Sequence, residues 1–210
     1  MSFGYLGDTS TKIKQVKKND GVISIADAYE LEKLGHLGGS LEHIETITAS
    51  SSSALDFTNL GNFKVHVLTL DDFQCTTNTT RYAYARVSTD GGSSFETGSS
   101  YARCWQRVQT TGSNVNEIAS LTETSMTNFF SVDSDDTTAS SIIYFYNLLS
   151  STARSSVTFQ SWNPVGQYIY FGMFMYNVTE AHNAFRIFPS GDAFATGRAK
   201  LYGVKEIWVL

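Results

Sequence analysis

Residues 80–109 read "TRYAYARVSTDGGSSFETGSSYARCWQRVQ" and decide the fold. The opening residues alternate Tyr82, Tyr84 and Arg86 with Ala83, Ala85 and Val87. The closing residues alternate Tyr101, Arg103, Trp105 and Arg107 with Ala102, Cys104, Gln106 and Val108. A period of two marks a β-strand, because successive Cβ atoms point to opposite faces of a sheet. Between the two runs, "STDGGSSF" supplies Asp90-Gly91, a hairpin turn signal. Aligned across such a hairpin, Tyr82, Tyr84, Arg86, Tyr101, Arg103, Trp105 and Arg107 share one face, where rings and guanidinium groups stack. That row reads first as a structural ladder and next as a sugar-binding or subunit-contact face.

The period of two extends in both directions. "LEHIETIT" starts it at Leu41, and "NFKVHVLTL" sets Phe63, Val65 and Val67 against His66, Leu68 and Leu70, as in a strand buried on both sides. Further strands are expected at 115–123, 141–149, 155–162, 167–178, 183–188 and 197–209, with turn residues between them. Short strands so punctuated, without a helical period between them, indicate a sandwich or barrel. Alternating βαβ units are excluded for lack of helices. The closing "AFRIFPSGDAFATGRAKLYGVKEIWVL" reads as a hairpin that turns at Pro189-Ser190-Gly191-Asp192. Its apolar end, Ile207, Trp208 and Leu210, reads as paired inside the sandwich or at a subunit contact.

Only "GVISIADAYELEKLGHLGGSLEHIE", residues 21–45, carries helical signals. Ser24 caps the start, Asp27 completes a capping-box-like pattern, and Gly35 terminates. Ile25, Ala28, Leu31 and Leu34 form a stripe at spacings of three. So short a helix does not persist alone, so its stripe is expected against a partner surface. In front of it, Phe3, Tyr5 and Leu6 sit beside Gly4 and Gly7, a pattern that suits a segment ordering only upon binding. The expected organisation is a docking arm, residues 1–44, with a helix at about 24–34, followed by an all-β domain, residues 45–210.

Composition excludes several functions. A net charge of −5 with 17% charged residues argues against nucleic acid, which demands clustered Lys and Arg. The one basic cluster, Lys12, Lys14, Lys17 and Lys18, reads as a solvated face or a contact with an acidic neighbour. No membrane is implied: "QYIYFGMFMYNV" is too short for a spanning helix, and the start has no secretory apolar region. Cys75 and Cys104 read as two buried thiols in a reducing cytosol, or as one bridge. His36, His43, His66 and His182 lack zinc spacing. Asp133, Asp135 and Asp136 resemble half of a calcium loop but read as a solvated acidic turn. Nothing selects a catalytic pair from Glu96, Glu117, Glu123 and Glu180, and there is no G-x-S-x-G. No catalytic residue, metal or cofactor is expected, and the chain reads as a non-enzyme.

The N-terminal "GVISIADAYELEKLGHLGGSLE", the "STDGGSSF" turn with its aromatic strand, and the closing "GRAKLYGVK" resemble structural proteins of tailed bacteriophages, especially those of marine and cyanobacterial hosts. The resemblance covers residues 21–45 and, more loosely, 55–204. It implies a virion protein assembled in the host bacterial cytoplasm: a tail fibre or tail-tip component, or a capsid decoration (cement) protein. The expected fold is a jelly-roll-like antiparallel β-sandwich that assembles as a homotrimer. The implied partners are copies of itself, other virion proteins through residues 1–44, and a host surface glycan in viral attachment. The reading from another class is a carbohydrate-binding or carbohydrate-cleaving β-sandwich protein.

Overall fold

The computed structural model describes residues 40–110, 115–134, 138–163 and 167–205. The chain divides into two compact units, Met1–Ser40 and Leu41–Leu210, and every described strand belongs to the second. The expected helix at 24–34 and the arm residues Phe3, Tyr5, Leu6, Ile25, Ala28, Leu31 and Leu34 lie outside the described residues. So do Asp135, Asp136 and the end formed by Ile207, Trp208 and Leu210.

The described residues are all-β, with antiparallel pairing and no helix. The strands are β1 (Leu41–Thr48), β2 (Leu55–Phe57), β3 (Val65–Cys75), β4 (Arg81–Ser88), β5 (Tyr101–Gln109) and β6 (Val115–Glu123). They continue as β7 (Ser131–Val132), β8 (Ala139–Tyr146), β9 (Ser156–Asn163), β10 (Tyr168–Tyr176), β11 (Ala184–Pro189) and β12 (Phe194–Val204). One sheet has eight strands in the order β1-β12-β3-β8-β9-β10-β5-β6, and the other has four, β2-β11-β4-β7. The pairs are nested: β1 joins β12, β2 joins β11, β3 joins β8 and β4 joins β7. The remaining strands, β5–β6 and β9–β10, are two excursions that widen the large sheet from four strands to eight.

Alternation decides which side of each strand is buried. In β9, Val157, Phe159, Ser161 and Asn163 are buried, whereas Thr158, Gln160 and Trp162 are exposed. The buried sides of both sheets share one core, as in a β-sandwich. Phe145 of β8 stacks on Phe185 of β11 at 4.5 Å, and Phe185 stacks on Phe57 of β2 at 4.8 Å. Under the widened half, Phe129 meets Phe159 and Phe174 at 5.1 and 5.0 Å. Each such ring contributes roughly 1.5–3 kcal/mol on full burial.

Two expected hairpins are not hairpins. β4 lies in the small sheet and β5 in the large one, so no ladder joins them. The turn itself forms, and the Glu96 amide returns to the Val87 carbonyl at 2.9 Å before the chain crosses over. A ladder would have put the Tyr101 and Trp105 rings beside Tyr82 and Tyr84, away from the apolar side of β4. In opposed sheets, Ala83, Ala85 and Val87 are buried together with Tyr101 and Trp105. β11 and β12 likewise divide between the sheets after the turn at Ser190–Asp192.

Candidate functional site

The aromatic and arginine residues singled out in β4 and β5 separate accordingly. Tyr101 and Trp105 are core residues, 0% and 3% exposed. The Tyr101 hydroxyl accepts from the Val87 amide and donates to the Glu96 carbonyl, both at 3.1 Å, which ties one sheet to the other. Burial pushes its ionisation well above the usual phenol range. Arg103, on the same side of β5, pairs with Glu123 at 3.1 Å and donates to the Thr127 hydroxyl at 2.5 Å. The Arg107 guanidinium lies 4.9 Å from the centre of the Tyr168 ring.

Tyr82, Tyr84 and Arg86 instead occupy the half-buried side of β4. Tyr84 packs edge-on against Phe188 at 5.8 Å, and Arg86 lies 5.0 Å from the centre of the same ring. Beside them, Arg186 makes a bidentate pair with Asp56, at 2.7 and 2.8 Å, under the Phe95 ring at 4.2 Å. These groups are mutually satisfied across β2, β11 and β4, so they form a structural ladder of the small sheet. The ladder expected across β4 and β5 does not form; of its residues, Tyr84 and Arg86 stack instead on Phe188 of β11.

A second polar constellation joins residues distant in sequence. His182 is fully buried, with Nδ1 2.7 Å from the Ser155 hydroxyl and Nε2 3.5 Å from a Glu180 carboxylate oxygen. Tyr176 packs edge-on against its ring at 4.8 Å and donates to Glu96 at 3.3 Å. Serine, histidine and carboxylate in sequence carry the elements of a nucleophilic triad. Here Ser155 and His182 are 1% and 0% exposed, which closes both to any substrate. Burial holds the His182 ring down at about 4, so it is a neutral core residue at pH 7. His66 is buried in the same way, with Nε2 bonded to the Leu60 carbonyl oxygen at 2.8 Å.

Two of the glutamates singled out in the sequence are likewise engaged by neighbours. Glu123 pairs with Arg103, and Glu117 accepts from Gln106. Asp133 is buried, which differs from the solvated turn expected of it. Among the described residues, no three His, Cys, Asp or Glu side chains converge as metal ligands would. Both cysteines are free. Cys75 is buried, and burial pushes its thiol up to about 11. Cys104 is exposed, contrary to the expectation of two buried thiols.

The exposed chemistry lies on the outer face of the widened half of the large sheet. Among the described residues, ten large apolar side chains are exposed, and eight of them sit here. Tyr144 on β8, Trp162 on β9 and Ile169, Phe171 and Met173 on β10 form the middle of it. Val108 on β5 with Val115 and Leu121 on β6 continue it to the sheet edge. Register lines them up: Trp162 pairs with Ile169, Ile169 with Val108, and Val108 with Val115. At its border with β3 is a shallow depression of about 350 Å³, lined by Thr69, Asp71, Ile142, Gln160, Trp162 and Ile169. Sequence alternation shows both sides of β10 to be apolar, "YIYFGMFMY", but not which side stays exposed.

No protein-family model matches the chain, and no curated protein or solved structure is significantly similar to it.

Proposed function

We propose that the chain is a non-enzymatic structural protein of a tailed-phage particle, a tail-fibre or tail-tip component docked through the N-terminal arm that precedes β1. The observation that carries this reading is the division of labour among side chains. The groups able to do chemistry, Ser155, His182, Tyr101 and Tyr176, cross-link the core, whereas the exposed apolar residues collect on one sheet face. A protein built this way acts by surface contact. The nested pairs support a jelly-roll reading, in which β1, β12, β3 and β8 form one four-stranded layer and β2, β11, β4 and β7 the other. Such a domain assembles as a homotrimer on the particle, where many copies compensate for modest single contacts by avidity.

Two measurements test it. Purified virions should contain the chain in multiple copies, and its absence from them sinks the reading. The double variant Leu31→Ser/Leu34→Ser should leave the thermal transition of the β-unit unchanged and remove the chain from particles. A collapsed melt would instead assign the stripe Ile25, Ala28, Leu31 and Leu34 to the domain core. Capsid decoration is distinguished from a fibre by where labelled copies sit on the particle.

A second reading has its own support. Trp162, 44% exposed, stands in the shallow depression beside Asp71 and Gln160, and an aromatic platform with polar neighbours suits a neutral sugar ring of a host glycan. That depression contains one carboxylate among its lining residues, whereas glycoside cleavage uses two. The sugar reading is therefore one of binding. Saturable binding of host glycan by the purified chain, lost in Trp162→Ala, would favour it.

A further inference from the structure

We infer that the outer face of β8, β9, β10, β5 and β6 is the surface through which copies of this chain associate, and that its occupant is a second copy. The inference rests on the self-assembly of the proposed reading and names the face that does it; a face packed on its own copy is two-fold, so the unit it gives is a dimer in place of the trimer.

The argument begins with charge. Among the outward side chains of these five strands, Glu117 is the only carboxylate, there is no Lys or Arg, and Glu117 accepts a hydrogen bond from Gln106. The other end of the same sheet is unlike it: Asp71 of β3 pairs with Lys200 of β12 at 3.2 Å, and Glu42 of β1 with Lys205 at 3.6 Å. A chain with a net charge of −5 repels its own copies. Close self-contact is favoured where charge has been removed, and this half-face is such a place.

Shape and area agree. Five strands spaced about 4.8 Å apart and eight or nine residues long span roughly 650 Å² in plan. With side-chain relief, that approaches the ~800 Å² per partner of a standard-size interface. Phe171 and Met173, 41% and 43% exposed, stand mid-sheet where two such faces would press together, and Cys104 is paired directly with Met173. An exposed apolar area of this extent on a soluble chain marks an interaction site. The strands that carry most of it are the two excursions, β5–β6 and β9–β10, which the nested eight-strand pairing does not need. The insertions thus supply the contact surface, and sheet-on-sheet packing is the contact it fits.

The test uses the purified 210-residue chain and two readouts, mass by light scattering and alkylation of Cys104 by a maleimide. The native chain should be an oligomer in which Cys104 reacts at least about tenfold more slowly than in a dissociated variant. Phe171→Glu should dissociate it with an intact β-sheet spectrum. Gln160→Glu, which adds charge without deleting an apolar group, should do the same if Phe171→Glu folds poorly. Leu41→Glu, an exposed apolar site on β1 at the opposite end of the sheet, should leave mass and alkylation unchanged. A monomeric native chain overturns the inference, and so does an oligomer whose Cys104 reacts freely. A monomer that binds maltotriose, with binding lost in Trp162→Ala, overturns it in favour of a saccharide. Because only the purified chain is measured, failure here is separate from failure of the particle reading.

Discussion

His182 carries the clearest consequence at the scale of single residues. Its ordinary value of 6.5 falls to about 4 because burial disfavours the imidazolium, partly offset by the nearby Glu96 carboxylate. The unfolded chain therefore binds a proton at higher pH than the folded one. The stability contributed by the neutral ring is fully present above pH 6.5 and is lost as pH falls toward 4, by at most about 3 kcal/mol. His66, also lowered by burial, acts in the same direction. Urea midpoints measured from pH 7.5 to 4 should fall, and His182→Gln should flatten that slope while lowering stability at pH 7. A variant with the native slope would show that His182 is not the titrating group. Gly172 is a second single-residue constraint. A Cβ there would lie 2.6 Å from Trp105 Cα and 2.5 Å from the Cys104 carbonyl oxygen, so the strand pair must shift to admit one. Gly172→Ala should cost about 1–3 kcal/mol, read as a lower thermal midpoint.

At the scale of elements, the "STDGGSSF" turn is the most completely specified local structure. Asp90 accepts from the Ser94 amide at 2.9 Å, the Ser94 hydroxyl at 2.6 Å and the Ser88 hydroxyl at 2.8 Å. Gly91 and Gly92 take positive φ of 73° and 89°, which bends the chain tightly enough to bring Ser94 back. These bonds, led by that of the Ser94 hydroxyl, hold the Asp90 carboxyl down at about 2. The turn should persist through the ordinary carboxylate range and loosen only as pH approaches that value. Asp90→Ala should speed hydrogen exchange at the Ser94 amide with little change in the β-sheet spectrum. Unchanged exchange would mean that the glycines alone set the turn. Its local chemistry made this turn legible in sequence. The destination of the strand after it was not, because the turn residues say how the chain reverses and not which sheet it joins next.

At the scale of the whole molecule, the Leu41–Leu210 unit has one core that both sheets share, with Phe145, Phe185 and Phe57 in a continuous stack across it. Neither sheet has another way to bury its inner side. Unfolding should therefore be cooperative, with far-UV circular dichroism and tryptophan fluorescence giving superimposable melting curves. Separate transitions would assign the widened half, β9-β10-β5-β6, a stability of its own. Strand existence was legible from the sequence across this unit: the expected segments 115–123, 155–162, 167–178 and 183–188 correspond to β6, β9, β10 and β11. The candidate site was legible only in part. The rings and guanidinium groups of β4 and β5 were visible as a pattern, but Tyr101 and Trp105 went into the core and the ladder formed from Tyr84, Arg86, Phe188 and Arg186 instead.

By itself, the sequence determined the period of the backbone, the turn at Asp90-Gly91 and the apolar side of most strands. These depend on residues one to four positions apart, through pleat and turn geometry. Tertiary structure alone decided that β1 pairs with β12, that β4 and β5 divide between sheets, and that His182 meets Ser155. It also decided which of the two apolar sides of β10 faces the core. Alternation records that a side is apolar, but the choice between burial and exposure belongs to whatever packs against it, and those partners are contributed by strands far away in the chain.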